Sequence, residues 1–187
     1  MPQLHPRIKE VHDYLVSANM HLHDAVEPIP VELRDTPPGP DRWSVAHVLE
    51  HLAIVETRIA QLIVKRTAEG RAAGVGAERE ETTTLWTLDV MRILDRRQQI
   101  EAPETVRPTK GLKSADAMTA LAAAQTEVRA AMIAANGLAL GEIVAPNRVF
   151  GPLNLYQWGA FAAAHEMRHA LQIREIGEQL YMQHANH

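Results

Sequence analysis

Apolar residues recur at intervals of three and four along three long stretches of this 187-residue chain, and no stretch alternates apolar and polar residues as a half-buried strand does. The chain must therefore build its core from helices. The first stretch, about 7–25, carries Ile8, Val11, Leu15, Ala18 and Leu22 on one face and stops before Pro28 and Pro30. The second, 44–66, begins at Ser44, a good N-cap after the turn-rich run from Thr36 to Asp41. It aligns Val48, Leu49, Leu52, Val55, Ile59, Leu62 and Ile63. The third, 115–136, is rich in Ala around Leu121, Ala124, Val128 and Ala131, and Gly137 is placed to cap it. The fourth, 155–181, is helical by composition and follows a run from Pro146 to Asn154 that reads as irregular.

A crossover of nearly fifty residues, about 68–113, separates the second and third helices. Gly70, Gly74 and Gly76 read as loop, Leu85 to Gln98 as a short helix, and Pro103 and Pro108 as its end. Short links force antiparallel neighbours, whereas a link this long lets two consecutive helices run parallel. The expected fold is an all-α four-helix bundle in a single domain, 1–187, with the second and third principal helices parallel.

Charge and composition narrow the function. With 19 Lys and Arg against 23 Asp and Glu, and no basic run, the chain lacks the electrostatic footprint of a nucleic-acid binder. It has no cysteine, which removes disulfides, thiolate ligands and a thiol nucleophile together. No stretch of about 18 apolar residues is present, so a soluble, cytoplasmic protein with no membrane partner is expected. The remaining oddity is 10 His against only 2 Phe and 3 Tyr. Imidazole is both a common metal ligand and the side chain that titrates near neutrality.

Two of these histidines stand at i and i+4 in His165-Glu166-Met167-Arg168-His169 on the fourth helix. Their directions differ by about 40° around the helix, close enough to share one ion. Trp158, Phe161, Ala162, Ile173, Ile176 and Leu180 place both imidazoles within an inward apolar stripe, where unsatisfied nitrogens are unfavourable unless something shared meets them. A third ligand must come from another helix. The second helix offers His47 and His51, and His51 lies about 40° nearer to its apolar stripe. The expected centre is His51, His165 and His169 around a divalent ion with a position open for chemistry; three neutral imidazoles suit Zn²⁺ and equally Ni²⁺, Fe²⁺ or Cu²⁺, with Zn or Ni taken first. Glu166 is the candidate acid/base at the edge of the same face, and Gln172 a candidate hydrogen-bond partner of a ligand. His47 and His12 read as surface or structural residues. His5, His21, His23, His184 and His187 receive no role.

The same five residues match H-E-x-x-H, a zinc-metalloprotease motif. Its extended form wants a glycine three residues after the second His, where Gln172 stands, and a peptide-binding strand, which the pattern lacks. The protease remains a remote alternative.

Trp43-Ser44 with His51-Leu52 eight residues on, then Phe150-Gly151-Pro152-Leu153, Trp158 and His165-x-x-x-His169-x-x-Gln172-Ile173, resembles the DinB/YfiT-like superfamily of metal-binding four-helix bundles. The resemblance implies an up-down-down-up bundle, three metal ligands at His51, His165 and His169, and a homodimer. It also implies a small-molecule substrate, since such proteins include thiol S-transferases that use bacillithiol, a mycothiol-dependent maleylpyruvate isomerase and proposed metal-dependent hydrolases. The expected activity is metal-dependent transfer of a low-molecular-weight thiol, or metal-dependent hydrolysis. The alternative is a non-catalytic metal-binding module of the stress response.

Overall fold

The computed structural model describes residues 3–83, 87–97, 100–109 and 111–184. Among the described residues five α-helices run in chain order: α1 (Pro6–Val26), α2 (Val45–Ala72), α3 (Val90–Leu94), α4 (Ser114–Ala134) and α5 (Leu155–His184). A hairpin of β1 (Val144–Asn147) and β2 (Gly151–Asn154) precedes α5. The long helices α1, α2, α4 and α5 form the bundle expected from the periodicity. None of the described helices is long and apolar enough to cross a membrane.

Contacts at the helix ends fix the directions. Near the start of α2, Ala46 N–H donates to the Arg34 carbonyl, and the neighbouring Asp35 carboxylate accepts from Ser114 N–H at the start of α4. At the other end the Arg71 guanidinium donates to the Ala134 carbonyl. The two helices joined by the crossover therefore run parallel. Likewise Val11 packs on Gly159, Asn19 donates to Glu166, and Ile29 packs on Gly177, so α1 and α5 are parallel to each other. The topology is up-down-down-up.

Ser44 caps α2 as its sequence position predicts: its hydroxyl accepts from His47 N–H at 3.3 Å, and His47 Nδ1 accepts from Ser44 N–H at 3.2 Å. This reciprocal pair gives His47 a helix-capping task. The helix runs on to Ala72, beyond the expected 66, through Gly70. A Cβ at Gly70 would stand 2.5 Å from Ile143 Cδ1, so the glycine lets the chain after α4 lie directly on α2.

Two expectations need correction. The helix read over 85–98 is only α3, five residues long, and Leu85 and Gln98 lie outside the described residues. Asp89 starts it by accepting from Arg92 N–H. It cannot continue because the Ile93 and Asp95 carbonyls are taken by Arg168, while the Asp95 side chain accepts from Arg97 N–H. The stretch read as irregular is the β1–β2 hairpin, antiparallel from the Val144–Asn154 pair to the Asn147–Gly151 pair. Asn147 Oδ1 accepts from Val149 and Phe150 N–H and closes the turn, where Gly151 takes a φ of 75°. Pro146 faces Pro152 across the ladder, and these prolines hid the strands in the sequence.

The apolar core is divided. One part holds Ile8, Val11, Ile59, Ile63, Val128 and Met132 towards the hairpin, and the other holds Leu22, Leu49, Leu52, Leu121, Ile173 and Ile176. Between them stand polar side chains from all four long helices: Asn19, Glu56, Gln125 with Arg129, and Glu166. Helix α5 thus carries this polar layer and the histidine pair on adjoining residues.

Candidate metal centre

Helix α5 presents His165 and His169 one turn apart, with their Nε2 atoms 3.2 Å from each other. Helix α2 brings His51 opposite, its ring 5.3 Å from that of His165 and 4.9 Å from that of His169. One nitrogen of each lies within 4.8 Å of the other two. Around an ion with metal–nitrogen bonds of about 2.0–2.1 Å, tetrahedral ligands sit roughly 3.3 Å apart, so the His165–His169 spacing is that of two ligands of one ion.

The hydrogen bonds on the far sides of the rings set which nitrogens face inward. His51 Nδ1 lies 2.7 Å from the Val106 carbonyl, which only accepts, so Nδ1 carries the proton and Nε2 is left with its lone pair. His169 Nδ1 lies 2.8 Å from Gln172 Oε1 and is protonated by the same argument. The His165 Nδ1 is buried and has no hydrogen-bond partner among the described residues. Lone pairs therefore converge on one point, an arrangement that a cation satisfies and that a packed apolar core does not require.

Electrostatics keep the rings in the ligand form. Burial depresses the His51 pKa, the Val106 hydrogen bond opposing it only in part. Burial pushes His165 down to about 3, aided by the neighbouring His51 and Arg168 charges. His169 is held well below the ordinary imidazole range by burial and by its two companions. All three are neutral at pH 7. Trp43 lies 5.1 Å from His51, and Phe161 stacks on His165 at 5.5 Å with Trp158 at its edge. His165 alone of the three is partly exposed.

The crossover roofs this centre. Arg168 on α5 donates to the Ile93 carbonyl at 2.9 Å and the Asp95 carbonyl at 2.6 Å, and Arg96 pairs with Glu175 through both carboxylate oxygens. Further along, Val106 reaches His51, and Thr109 reaches Glu50.

The remaining candidates lie apart. Glu166 is fully buried in the polar layer, where Asn19 and Gln125 each donate to it at 2.7 Å, and no hydrogen bond to a histidine is found among the described residues. Its carboxyl is raised to about 7, chiefly by burial. Glu56 faces it and is raised well above the ordinary carboxyl range, first by burial and then by the Glu166 charge. His47 caps α2, His5 caps α1 and hydrogen-bonds Asn136, and His12 touches Asp13. Sequence reasoning missed Glu56, although it interrupts the stripe between Leu52 and Ile59. It also missed the Val106 carbonyl, a backbone group with no residue-type signal.

Comparison with known proteins identifies the family. The uncharacterized protein YuaE of Bacillus subtilis (strain 168) is 28% identical over 143 residues, which is 76% of this chain and 82% of that protein. No solved structure matches significantly. The family model of the DinB superfamily matches residues 14–173, and the chain belongs to that superfamily.

Proposed function

We propose that this protein is a metal-dependent enzyme acting on a small molecule, with His51, His165 and His169 holding one divalent ion. The observation that carries the reading is the pair of occupied Nδ1 atoms, on His51 and His169, which leave the Nε2 atoms of both rings facing inward, that of His169 3.2 Å from His165 Nε2. Three neutral imidazoles suit Zn²⁺ and Ni²⁺ equally, and accept Fe²⁺ or Cu²⁺. An ion bound there supplies positive charge that favours the deprotonated form of a thiol or a water molecule near neutral pH.

The protein's own groups do the rest. Gln172 and the Val106 carbonyl hold two of the rings, while Phe161 and Trp43 wall the centre with apolar surface that keeps bulk water from a bound nucleophile. Partial exposure of His165 leaves an approach for a small substrate. Analogy within the superfamily favours transfer of a bacillithiol-type thiol to an electrophile, with hydrolysis as the alternative. Glu166 serves this reading through the core that supports α5, because both its oxygens are engaged by amides from α1 and α4.

The test is metal analysis of the purified protein together with a conjugation screen, pairing several bacterial thiols with an aromatic electrophile, and ester hydrolysis run alongside. Stoichiometric metal with metal-dependent thiol loss or ester cleavage supports the reading. Stoichiometric metal without turnover of either kind favours a non-catalytic metal-binding module. A protein that binds no divalent ion overturns both.

A further inference from the structure

We propose that Glu50 and Thr109 form a latch that positions the Val106 carbonyl on His51, so that the crossover, rather than α2 alone, determines which His51 nitrogen faces the metal centre. The proposal rests on the reading of His51 as a ligand. Glu50 precedes His51 in α2 and is buried, with 6% of its surface exposed. Its Oε1 accepts from both the backbone N–H of Thr109, at 2.9 Å, and the Thr109 hydroxyl, at 2.5 Å. Its other oxygen, Oε2, is buried with no partner among the described residues.

An apolar side chain would fill that place without an unpaired oxygen, so the carboxylate is not explained by packing. What it does is bind two donors of one residue of the crossover. Between Thr109 and the 3₁₀ turn at Glu104–Val106 stand only Arg107 and Pro108. The turn is closed by Val106 N–H on the Pro103 carbonyl at 2.9 Å, and Pro108 fixes its own φ. Tying Thr109 to Glu50 therefore sets where the Val106 carbonyl points, and it points at His51 Nδ1 from 2.7 Å. A histidine held by a carbonyl on Nδ1 is locked in the tautomer that offers Nε2. Without the carbonyl, the ring can exchange its proton between nitrogens or turn. Glu50 and Thr109 are thus positioning residues that act through Val106.

The test uses the metal-free full-length protein with ¹⁵N-labelled histidine, and metal affinity measured by chelator competition with Zn²⁺ and with Ni²⁺. In the wild type the His51 signals should report a proton fixed on Nδ1. Glu50→Leu should give a mixed-tautomer signature and weaken metal binding by roughly 10–100-fold, the usual effect of removing a partner behind a ligand. Thr109→Val, on an exposed stretch where misfolding is not at issue, should change both readings in the same direction by less. Thr109→Ser should restore them. If Glu50→Leu and Thr109→Val keep the wild-type tautomer signature and bind metal within twofold of wild type, the latch is overturned. The tautomer signature decides the latch even if the wild type binds no metal, an outcome that would overturn the proposed function alone.

Discussion

Glu56 on α2 and Glu166 on α5 meet in the middle of the bundle, both essentially without solvent exposure. Asn19 and Gln125 reach Glu166 from the other two long helices. Burial raises both pKa values, Glu166 to about 7 against the hydrogen bonds of Asn19, Glu56 and Gln125 and the Arg129 charge, while the Glu166 charge adds to the rise of Glu56, so that the two carboxyls are not both charged there. A carboxyl raised in the folded state stabilises the fold in its protonated form. That contribution is complete below the ordinary carboxyl range and is lost as the pH rises towards about 7. Glu56→Gln carries no charge to repel. In the metal-free protein its stability relative to wild type should improve between pH 5 and pH 8, by on the order of 2 kcal/mol. Urea melts of both proteins at the two pH values read the difference, and equal behaviour at both would show that the pair does not share a proton.

The histidines of α2 separate by task. His51 faces the centre, whereas His47 exchanges hydrogen bonds with Ser44 at the helix start. His51→Ala, His165→Ala and His169→Ala should each abolish stoichiometric metal. His47→Ala should bind metal as the wild type does, keep the Ser44 cap on its backbone N–H, and lose about 0.5–1 kcal/mol with the bond its ring accepts from Ser44 N–H. Metal analysis and thermal melts of the four variants check this, and loss of metal in His47→Ala with retention in His51→Ala would show the ligand to be the wrong one.

The sequence exposed most of the bundle because its signals are side-chain patterns. The stripe from Ile8 to Leu22 became α1, the Ser44 cap opened α2, and the length of the crossover announced the parallel pair. His51, His165 and His169 could be read together because helical spacing converts directly into direction. What stayed hidden depends on partners distant in the chain. The Val106 carbonyl meets His51 across 55 positions, and Arg168 holds the Ile93 carbonyl across 75. The inward turn of Glu166, expected at the edge of the histidine face, follows from amides on α1 and α4 that no pattern within α5 could announce. In the hairpin, four-residue strands and facing prolines are too brief for periodicity to register.

Arg168 is a buried cation inside the H-E-x-x-H match, and its Nη1 donates to two carbonyls of the crossover. Arg168→Leu leaves the Ile93 and Asp95 carbonyls without that donor, a loss of about 2–3 kcal/mol for hydrogen bonds to a charged group. The bundle itself retains its apolar contacts, so the local effect should dominate. Limited trypsin digestion should cut faster after Arg96 or Arg97 than in the wild type, with helical circular dichroism nearly unchanged. An unchanged cutting rate would show that Arg168 does not hold the roof.

Gly159 lies in the second turn of α5 where that helix crosses α1. A Cβ there would stand 2.6 Å from Val11 Cγ1, and 3.2 Å and 3.3 Å from the sulfur and terminal methyl of Met132. Methionine can yield, since its side chain is unbranched and flexible. Val11 cannot, because a β-branched side chain in a helix has essentially one χ1 rotamer and its backbone is fully buried in α1. Gly159→Ala would gain about 1 kcal/mol of helix propensity at an exposed site. Here that gain is outweighed by overpacking, which typically runs to about 1–3 kcal/mol and forces the α1 and α5 backbones apart. The variant should be destabilised by about 1 kcal/mol or more, and adding Val11→Ala, which removes the obstructing methyls, should make the Gly159→Ala step favourable or neutral. A double-mutant cycle from urea melts measures the coupling. Additive effects of the two substitutions would mean that α1 and α5 do not approach as closely at this point as the structure places them.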